Sequence, residues 1–225
     1  MNVAIVTSCT DESRASIQRC IDAVRAQTVP ATHIVVTDGA KQEWIDAIPG
    51  VRQIPLDTPH PSRPLAPFAI GASIAAGESF DAIGIVEVDT VVVPDYVESC
   101  IETAEREYRV HFVLVEGEPS TTDTPATEQP QPPVDRVGSL FVLRRGFPAL
   151  PGLALIPTPL ALMGLELVVE KFRILEYHGV ATEYPLVTRH NTAAVPIGMI
   201  REWWRSLGEK DRRMVQRHLG GTLSF

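Results

Sequence analysis

The sequence is poor in the residues that mark several common protein classes. It has only three cysteines, Cys9, Cys20 and Cys100, and they show neither a disulfide framework nor the CxxC spacing of a zinc site. We therefore expect reduced thiols in a cytoplasmic protein. No run of about 20 apolar residues is available to span a membrane. The N-terminus lacks the basic start of a signal peptide, so we expect none.

Positive charge is also scarce. The 225 residues carry 20 Lys and Arg against 28 Asp and Glu, a formal net charge of −8. This balance argues against broad electrostatic binding of nucleic acid. It leaves room for an anionic small molecule held by a metal ion and a few cations. Glycine and lysine are both missing from residues 7–16, TSCTDESRAS.

Strands and helices alternate along the first half of the chain. Val3–Thr7 is a β-branched run that predicts a strand. Apolar residues then recur at i, i+3, i+4 and i+7 from Ile17 to Val24, which predicts an amphipathic helix. The next strand is HIVVTD, and the alternation continues to HFVLVEG. This pattern predicts an α/β protein with a mostly parallel sheet.

The pattern breaks at residues 117–135, which are rich in Pro, Thr, Glu and Gln. Such a composition buries little apolar surface, and we expect a long flexible loop there. Beyond it the sequence predicts a strand, a long helix near Ala161–His178 and another strand. We predict one domain over residues 1–190. Residues 191–225 are expected to form a helical extension that packs on the same domain.

Polar side chains stand at the predicted carboxyl ends of the strands, where open α/β sheets bind their ligands. Thr7 and Cys9 follow the first strand, Asp38 ends the second, and Glu87 and Asp89 belong to the fourth. An aspartate in the position of Asp38 accepts hydrogen bonds from a ribose or a base. The alternative is a simple turn, because Asp-Gly is a common turn pair.

Glu87 and Asp89 lie in the apolar run IGIVEVDTVVVPD. Residues two apart in a strand point to the same side, so the two carboxylates repel unless a cation lies near them. Mg²⁺ and Mn²⁺ prefer oxygen ligands and keep water or substrate phosphate in their remaining positions. The pair therefore predicts a divalent metal site.

Several segments, in their order, resemble the family 2 glycosyltransferases of the GT-A fold. The opening VAIVTSCTDESRASIQRCIDAVRAQTVPATHIVVTDGA is similar to that family's strand, helix ending in Gln-Thr, and second strand ending in Asp-Asp-Gly-Ser. GASIAAGESF resembles its helix end, and VEVDTVVVPDYVE its Asp-x-Asp strand followed by Pro and a helix. The resemblance covers most of residues 2–190. It implies a Rossmann-like three-layer α/β sandwich.

The resemblance also implies a donor site for a nucleotide-diphosphate sugar. Thr7 and Cys9 match positions that line the nucleobase and ribose pocket. Asp38 matches the second Asp of the Asp-Asp pair that holds the nucleoside. Arg63 lies where some family members bring an arginine to the diphosphate, and its alternative is an exposed loop arginine.

For the chemistry, the resemblance implies a metal ion and a general base. Asp89 matches the metal-binding Asp, Glu87 the first acid of Asp-x-Asp, and His190 a histidine that can join the metal or the phosphates. Glu166 matches the base that takes the proton of the acceptor hydroxyl, with Glu170 as a fallback. The expected cofactor is Mg²⁺ or Mn²⁺.

The sequence departs from the family at several of these positions. Glu87 replaces an Asp, Thr37 replaces the first Asp of Asp-Asp, and Cys9 replaces a frequent aromatic residue. Phe68 and Ala69 stand in place of an Arg-Asn pair, and Leu165 in place of the Glu before the base. These departures keep open a diverged or inactive member of the family.

The last segment differs in character from the rest. Residues 201–217 contain six Arg and Lys, three acids and the adjacent Trp203 and Trp204. A basic amphipathic helix of this kind can rest on an anionic membrane surface, at the inner face of the membrane. It can equally cap the core or mediate a homodimer. The sequence of residues 197–219 does not distinguish among these three functions.

We predict a metal-dependent, inverting glycosyltransferase. It would move a sugar from a nucleotide-diphosphate sugar to a hydroxyl of a glycan, a lipid-linked acceptor, a protein or a small molecule. One alternative is a catalytically inactive binding or scaffold protein of the same fold. The other is a nucleotidyltransferase, which usually opens with a Gly-rich loop and a Lys that residues 7–16 lack.

Overall fold

The computed structural model describes most of the chain between residues 1 and 189. The described ranges are 1–9, 14–38, 42–56, 65–88, 90–106, 109–119, 137–148 and 178–189, together with positions 205, 209, 212 and 213. The helices are α1 (Arg14–Arg25), α2 (Glu43–Asp46), α3 (Leu65–Ala76) and α4 (Tyr96–Glu105). The strands are β1 (Val3–Cys9), β2 (Ala31–Asp38), β3 (Val51–Leu56), β4 (Ala82–Glu87), β5 (Thr90–Val92), β6 (Phe112–Pro119), β7 (Val137–Leu143), β8 (Gly179–Ala181) and β9 (Val187–Arg189).

The described strands form one sheet in the order β3-β2-β1-β4-β7-β6-β9-β5, with β8 paired to β6. Neighbours from β3 to β4 are parallel, and so are the pairs that β6 makes with β8 and β9. β7 runs antiparallel to both β4 and β6, and β5 is antiparallel to β9. The predicted α/β class with a mostly parallel sheet is confirmed.

Helices cover both faces of this sheet. Cys20 and Val24 of α1 share a buried cluster with Val3 and Ile5 of β1, and the same cluster takes in the buried face of α4. The predicted apolar stripe of α1 is confirmed, because its buried residues are Ile17, Cys20, Ile21 and Val24. α3 packs on the opposite face, and the result is the predicted three-layer sandwich.

The approach of α3 to the sheet depends on Gly71. A Cβ atom at this position would lie 2.6 Å from Cγ1 of Val6 and 2.6 Å from Cγ2 of Val36. Both valines lie in the buried strands β1 and β2, and their branched side chains have little rotational freedom. Glycine therefore lets the helix backbone lie directly on the two central strands.

The Gln-Thr that follows α1 joins this helix to the start of α4. The Gln27 amide nitrogen donates to the Val93 carbonyl at 2.7 Å, and its oxygen accepts from the Val97 backbone N–H at 3.0 Å. The Thr28 N–H donates to the carbonyl of Pro94 at 2.8 Å. Pro94 lies two residues before α4, which begins at Tyr96. These bonds fix the segment that leads into α4 against the end of α1.

Some boundaries differ from the sequence prediction. The first strand extends to Cys9, and β6 continues through Pro119, so residues 117–119 of the predicted loop are strand. The strand predicted after the long helix is two short strands, β8 and β9, and β5 was not predicted. Residues 120–135 and 161–177 lie outside the described part.

Little of the C-terminal extension is described. The residues at 205, 209, 212 and 213 are helical, and Arg213 forms an ion pair with Glu209. Its packing on the domain, and any contact with a membrane or a second copy, stay predictions. Among the described helices, none is long and apolar enough to cross a membrane.

We expect Gly71→Ala to lower the free energy of unfolding by about 1–3 kcal/mol, because the new methyl group overpacks α3 against Val6 and Val36. Urea unfolding followed by circular dichroism measures the change. Gly77→Ala is the matched control, since the nearest atom to a Cβ there is a backbone oxygen at 3.4 Å. It should change the unfolding free energy by less than about 1 kcal/mol. Equal effects in the two variants would contradict the packing described for α3.

Candidate functional site

Three parallel strands bring candidate residues to one edge of the sheet. Cys9 ends β1, Asp38 ends β2 and Glu87 ends β4. In the sheet register Cys9 lies beside Thr37, and Ser8 lies beside Glu87. Because the strands are parallel, all three carboxyl ends open on the same edge. The structure therefore brings together the strand ends that the sequence singled out.

The edge also contains the switch point of the fold. From β1 the chain moves outward to β2 and β3, then crosses back to β4 on the other side of β1. Open α/β sheets bind ligands in the crevice formed where the strand order reverses in this way. Here that point lies between the ends of β1 and β4, at Ser8 and Glu87.

Glu87 is unusual among the described residues. Among the acidic residues whose burial the structure describes, it alone has a buried side chain, with 8% of its surface exposed. Removing a carboxylate from water is costly unless hydrogen bonds or a cation compensate it. An acid kept in this position at the switch point suits a site for a cation or a polar ligand.

Thr7 and Cys9 project from β1 toward the α1 face. The Thr7 hydroxyl lies 2.9 Å from Nε2 of His33 and 3.6 Å from the sulfur of Cys20, and only 1% of the residue is exposed. Cys9 belongs to a buried cluster with residues of α1, β2 and α2. Both residues thus form the floor beneath the carboxyl edge, and their contact with a nucleotide stays a prediction.

His33 is a buried residue that the sequence analysis missed. It is 1% exposed, and this burial lowers its pKa from the ordinary 6.5 to about 3. The imidazole is therefore neutral at physiological pH. A histidine inside the apolar run of β2, ATHIVVTD, is the signal that could have drawn attention to it.

A cation also lies near this edge. The guanidinium of Arg14, the first residue of α1, lies 4.7 Å from the ring centroid of Trp44 in α2. Trp44 packs against the same buried cluster as Cys9. Stacking on an aromatic face holds the arginine and preserves its charge. Neither residue stood out in the sequence, because an arginine at a helix start and a tryptophan in a short helix have many uses.

Other predicted site residues lie outside the described part of the chain. These are Arg63, Asp89, Glu166 and His190, and for Asp38 only the strand position is described. Within the described ranges, no group of three or more His, Cys, Asp or Glu side chains could hold a metal ion. The three cysteines, all of them described, are buried and form no disulfide.

The fold is similar to that of TarS from S. aureus. Residues 1–349 of TarS in complex with UDP-GlcNAc match 97% of this chain over 72% of theirs, with a TM-score of 0.64 and 12% identity. A second TarS structure matches the whole chain over 44% of its own, with a TM-score of 0.65 and 11% identity. A TarS complex with UDP gives a TM-score of 0.62 at 12% identity, over 97% of this chain and 71% of the other.

These structures have the GT-A fold of glycosyltransferases, and this chain has the same fold. The prediction of the fold is confirmed. The chain spans less than half of the longer TarS structure. No protein-family model matches the sequence, and neither does any curated protein.

The buried His33 predicts a loss of stability in acid. Its pKa of about 3 in the folded state lies below the ordinary 6.5, so the unfolded chain binds the proton first as the pH falls. The contribution of His33 to the free energy of unfolding is complete above about pH 6.5 and is lost progressively as the pH falls toward 3. Between pH 6 and 4 we expect a loss of roughly 1.4 kcal/mol per pH unit.

Urea unfolding at a series of pH values tests this, with His33→Gln as the variant that removes the titrating group. The parent should lose stability in acid more steeply than His33→Gln. His178→Gln changes an exposed histidine instead and should follow the parent. Parallel curves for the parent and His33→Gln would show that His33 is not the buried group responsible.

Proposed function

We propose that this protein is a metal-dependent, inverting glycosyltransferase that uses a nucleotide-diphosphate sugar as donor. The observation that carries the proposal is the buried Glu87 at the switch point of a GT-A fold. The similarity to TarS, which has been crystallised with UDP-GlcNAc and with UDP, supports a donor of that chemical class. UDP is therefore the first nucleotide to test.

On this proposal the donor lies across the carboxyl ends of β2, β1 and β4. Asp38 at the end of β2 would accept hydrogen bonds from the nucleoside, and Arg63 would bind the diphosphate through its planar guanidinium. The diphosphate would lie toward Glu87, beyond the end of β4. Residues from separate strands can act together because their parallel pairing places them at one edge.

The donor atoms here fit a hard divalent cation. Glu87 supplies a carboxylate at the switch point, and Asp89 and His190 complete the proposed set from positions outside the described part. Carboxylate oxygens with one imidazole suit Mg²⁺ or Mn²⁺. When bound, the metal would neutralise the charge that develops on the departing nucleoside diphosphate.

Transfer with inversion requires a general base on the acceptor side. The acceptor oxygen attacks the anomeric carbon while the bond from that carbon to the diphosphate oxygen breaks. Glu166 would take the proton from the acceptor hydroxyl. The acceptor is a hydroxyl of a glycan, a protein, a small molecule or a lipid. A lipid-linked acceptor would give residues 197–219 a function at the inner face of the membrane.

One observation favours a second candidate, an inactive nucleotide-sugar-binding protein. Thr37 replaces an acid of the family's Asp-Asp pair, and its hydroxyl accepts a hydrogen bond from Gln53 at 3.0 Å. With 3% of its surface exposed, Thr37 is part of the core. A chain that has converted one polar site residue into a core contact could bind a nucleotide without turning it over.

Calorimetric titration with UDP, with and without Mn²⁺, tests the donor site. We expect Mn²⁺-dependent binding with a dissociation constant between about 1 μM and 1 mM, the usual range for enzyme substrates. Asp89→Asn should weaken this binding by about tenfold or more, because it removes a charged metal ligand (about 1.4 kcal/mol per tenfold). Asp95→Asn, at the start of α4, is the control and should bind like the parent. Failure of the parent to bind any nucleoside diphosphate would reject both candidates.

Hydrolysis of a UDP-sugar and transfer to an acceptor separate the enzyme from the inactive protein. We expect Glu166→Gln to lower kcat by about 10²–10⁴, the usual contribution of a general base, and to leave UDP affinity unchanged. Glu170→Gln, four residues further along, is the matched comparison. A loss of transfer in Glu170→Gln alone would move the base to that residue. Binding without turnover in the parent would favour the inactive protein.

A further inference from the structure

A chain of buried polar atoms runs beneath the carboxyl edge, from β2 through β1 and α1 to β4. Nε2 of His33 lies 2.9 Å from the hydroxyl of Thr7, and this hydroxyl lies 3.6 Å from the sulfur of Cys20. The sulfur lies 3.9 Å from the backbone carbonyl of Glu87. Thr7, Cys20 and His33 are each 1% exposed. The chain thus ends on the last residue of β4, at the candidate site.

The carbonyl oxygen of Glu87 determines which atom donates in each hydrogen bond of this series. A carbonyl oxygen can only accept, so the Cys20 S–H points to Glu87. The sulfur then accepts from the Thr7 O–H, and the Thr7 oxygen accepts from His33. A neutral imidazole carries one N–H, which places the proton of His33 on Nε2. Its Nδ1 is then an acceptor, and it has no hydrogen-bond partner among the described residues.

Gln27 bonds to the part of the chain that follows position 89. It follows α1 by two residues and bonds to the carbonyl of Val93 and the N–H of Val97, both beyond position 89. The thiol of Cys20 donates to the carbonyl of Glu87, which lies two residues before position 89. α1 and Gln27 therefore hold the chain before and after Asp89, through one thiol and one amide.

Side-chain donors matter here because the strand pairing between β4 and β7 ends before Glu87. The antiparallel pairing with β7 is described only for Ala82–Ile85, so it stops two residues before Glu87. At Ile85 the hydroxyl of Ser139 donates to the carbonyl at 2.9 Å, and at Glu87 the thiol of Cys20 does the same. The strand end that faces the crevice is thus anchored from the α1 side.

We propose that Thr7, Cys20, His33 and Gln27, together called the α1 brace, position the segment 87–93 for donor and metal binding. They act as positioning residues, since they reach the site through the backbone of Glu87 and Val93. The proposal rests on the proposed function and deepens it, because it gives Thr7 a role beneath the pocket instead of a contact with the nucleotide.

Amide hydrogen exchange of the protein without ligand tests the brace directly. Cys20→Ala removes the S–H donor, and Cys100→Ala is the matched control because it truncates another buried cysteine of the same core cluster. We expect exchange in residues 86–93 to be about fivefold faster in Cys20→Ala than in Cys100→Ala, since a weak hydrogen bond contributes about 1 kcal/mol. Cys20→Ser keeps a donor and should restore the slower exchange.

Titration with UDP and Mn²⁺ then tests the consequence for binding. We expect Cys20→Ala to bind about fivefold more weakly than Cys100→Ala, with Cys20→Ser close to the parent. Equal exchange and equal binding in the two alanine variants would overturn the proposal. If Cys20→Ala does not fold, Thr7→Val breaks the chain one link earlier and is judged in the same way. A parent that binds no nucleoside diphosphate would reject the proposed function, and the exchange measurement would still decide the brace.

Which atom donates in each of these hydrogen bonds can be tested by NMR spectroscopy. A ¹⁵N spectrum of the imidazole nitrogens at neutral pH should show His33 with its proton on Nε2 and none on Nδ1. The opposite tautomer would mean that Thr7 donates to His33 and not to Cys20. That result would overturn the assignment of donors and acceptors given above. Cys20→Ala should leave this tautomer unchanged, because the bond between His33 and Thr7 remains.

Discussion

The pairing of β1 with β2 on one side and β4 on the other is the constraint on which the candidate site depends. It places the ends of three parallel strands at one edge and sets Ser8 beside Glu87 at the switch point. The faces of these strands are closed by α1 and α4 on one side and by α3 on the other, the latter seated on the sheet at Gly71. With both faces covered, the edge is where polar side chains of these strands can meet a ligand.

The floor of the site beneath this edge is polar although it is buried. A neutral His33, a threonine and a thiol lie in a line beneath the edge, and each supplies the hydrogen bond that its neighbour needs. Buried polar groups of this kind are costly when they lack partners and specific when they have them. An apolar floor of equal volume would fill the core equally well. It would offer no donor to the carbonyl at the end of β4.

The general fold could be read from the sequence, because apolar periodicity reports directly on burial. Ile17, Cys20, Ile21 and Val24 recur at helical spacing, and they are the buried residues of α1. The three-residue strand β5 was not predicted, since its valines continue an apolar run and its partner β9 lies almost 100 residues away. Long-range pairing of this kind leaves no local pattern. The role of Gln27 was hidden for the same reason, since its bonds reach residues 66 and 70 positions further along the chain.

The site itself was harder to derive from the sequence. The sequence marked Thr7, Cys9 and Glu87 by their position at strand ends, and the structure places all three at the carboxyl edge or directly beneath it. It could not tell that Thr7 turns inward to His33, because a strand's two faces look alike until their covering helices are known. It also gave no reason to connect Cys20 with Glu87. At 12% identity to TarS, this chain has the same GT-A fold, and the fold alone does not specify the residues of the site.

A crystal structure of the protein with UDP and Mn²⁺ would show directly whether a donor site lies at this edge. We expect the nucleoside over the carboxyl ends of β1 and β2, with the diphosphate and the metal at the end of β4 beside Glu87. Thr7 would stay beneath the ligand, bonded to His33. A nucleotide bound elsewhere on the molecule, or bound at this edge with no metal near the end of β4, would contradict this expectation.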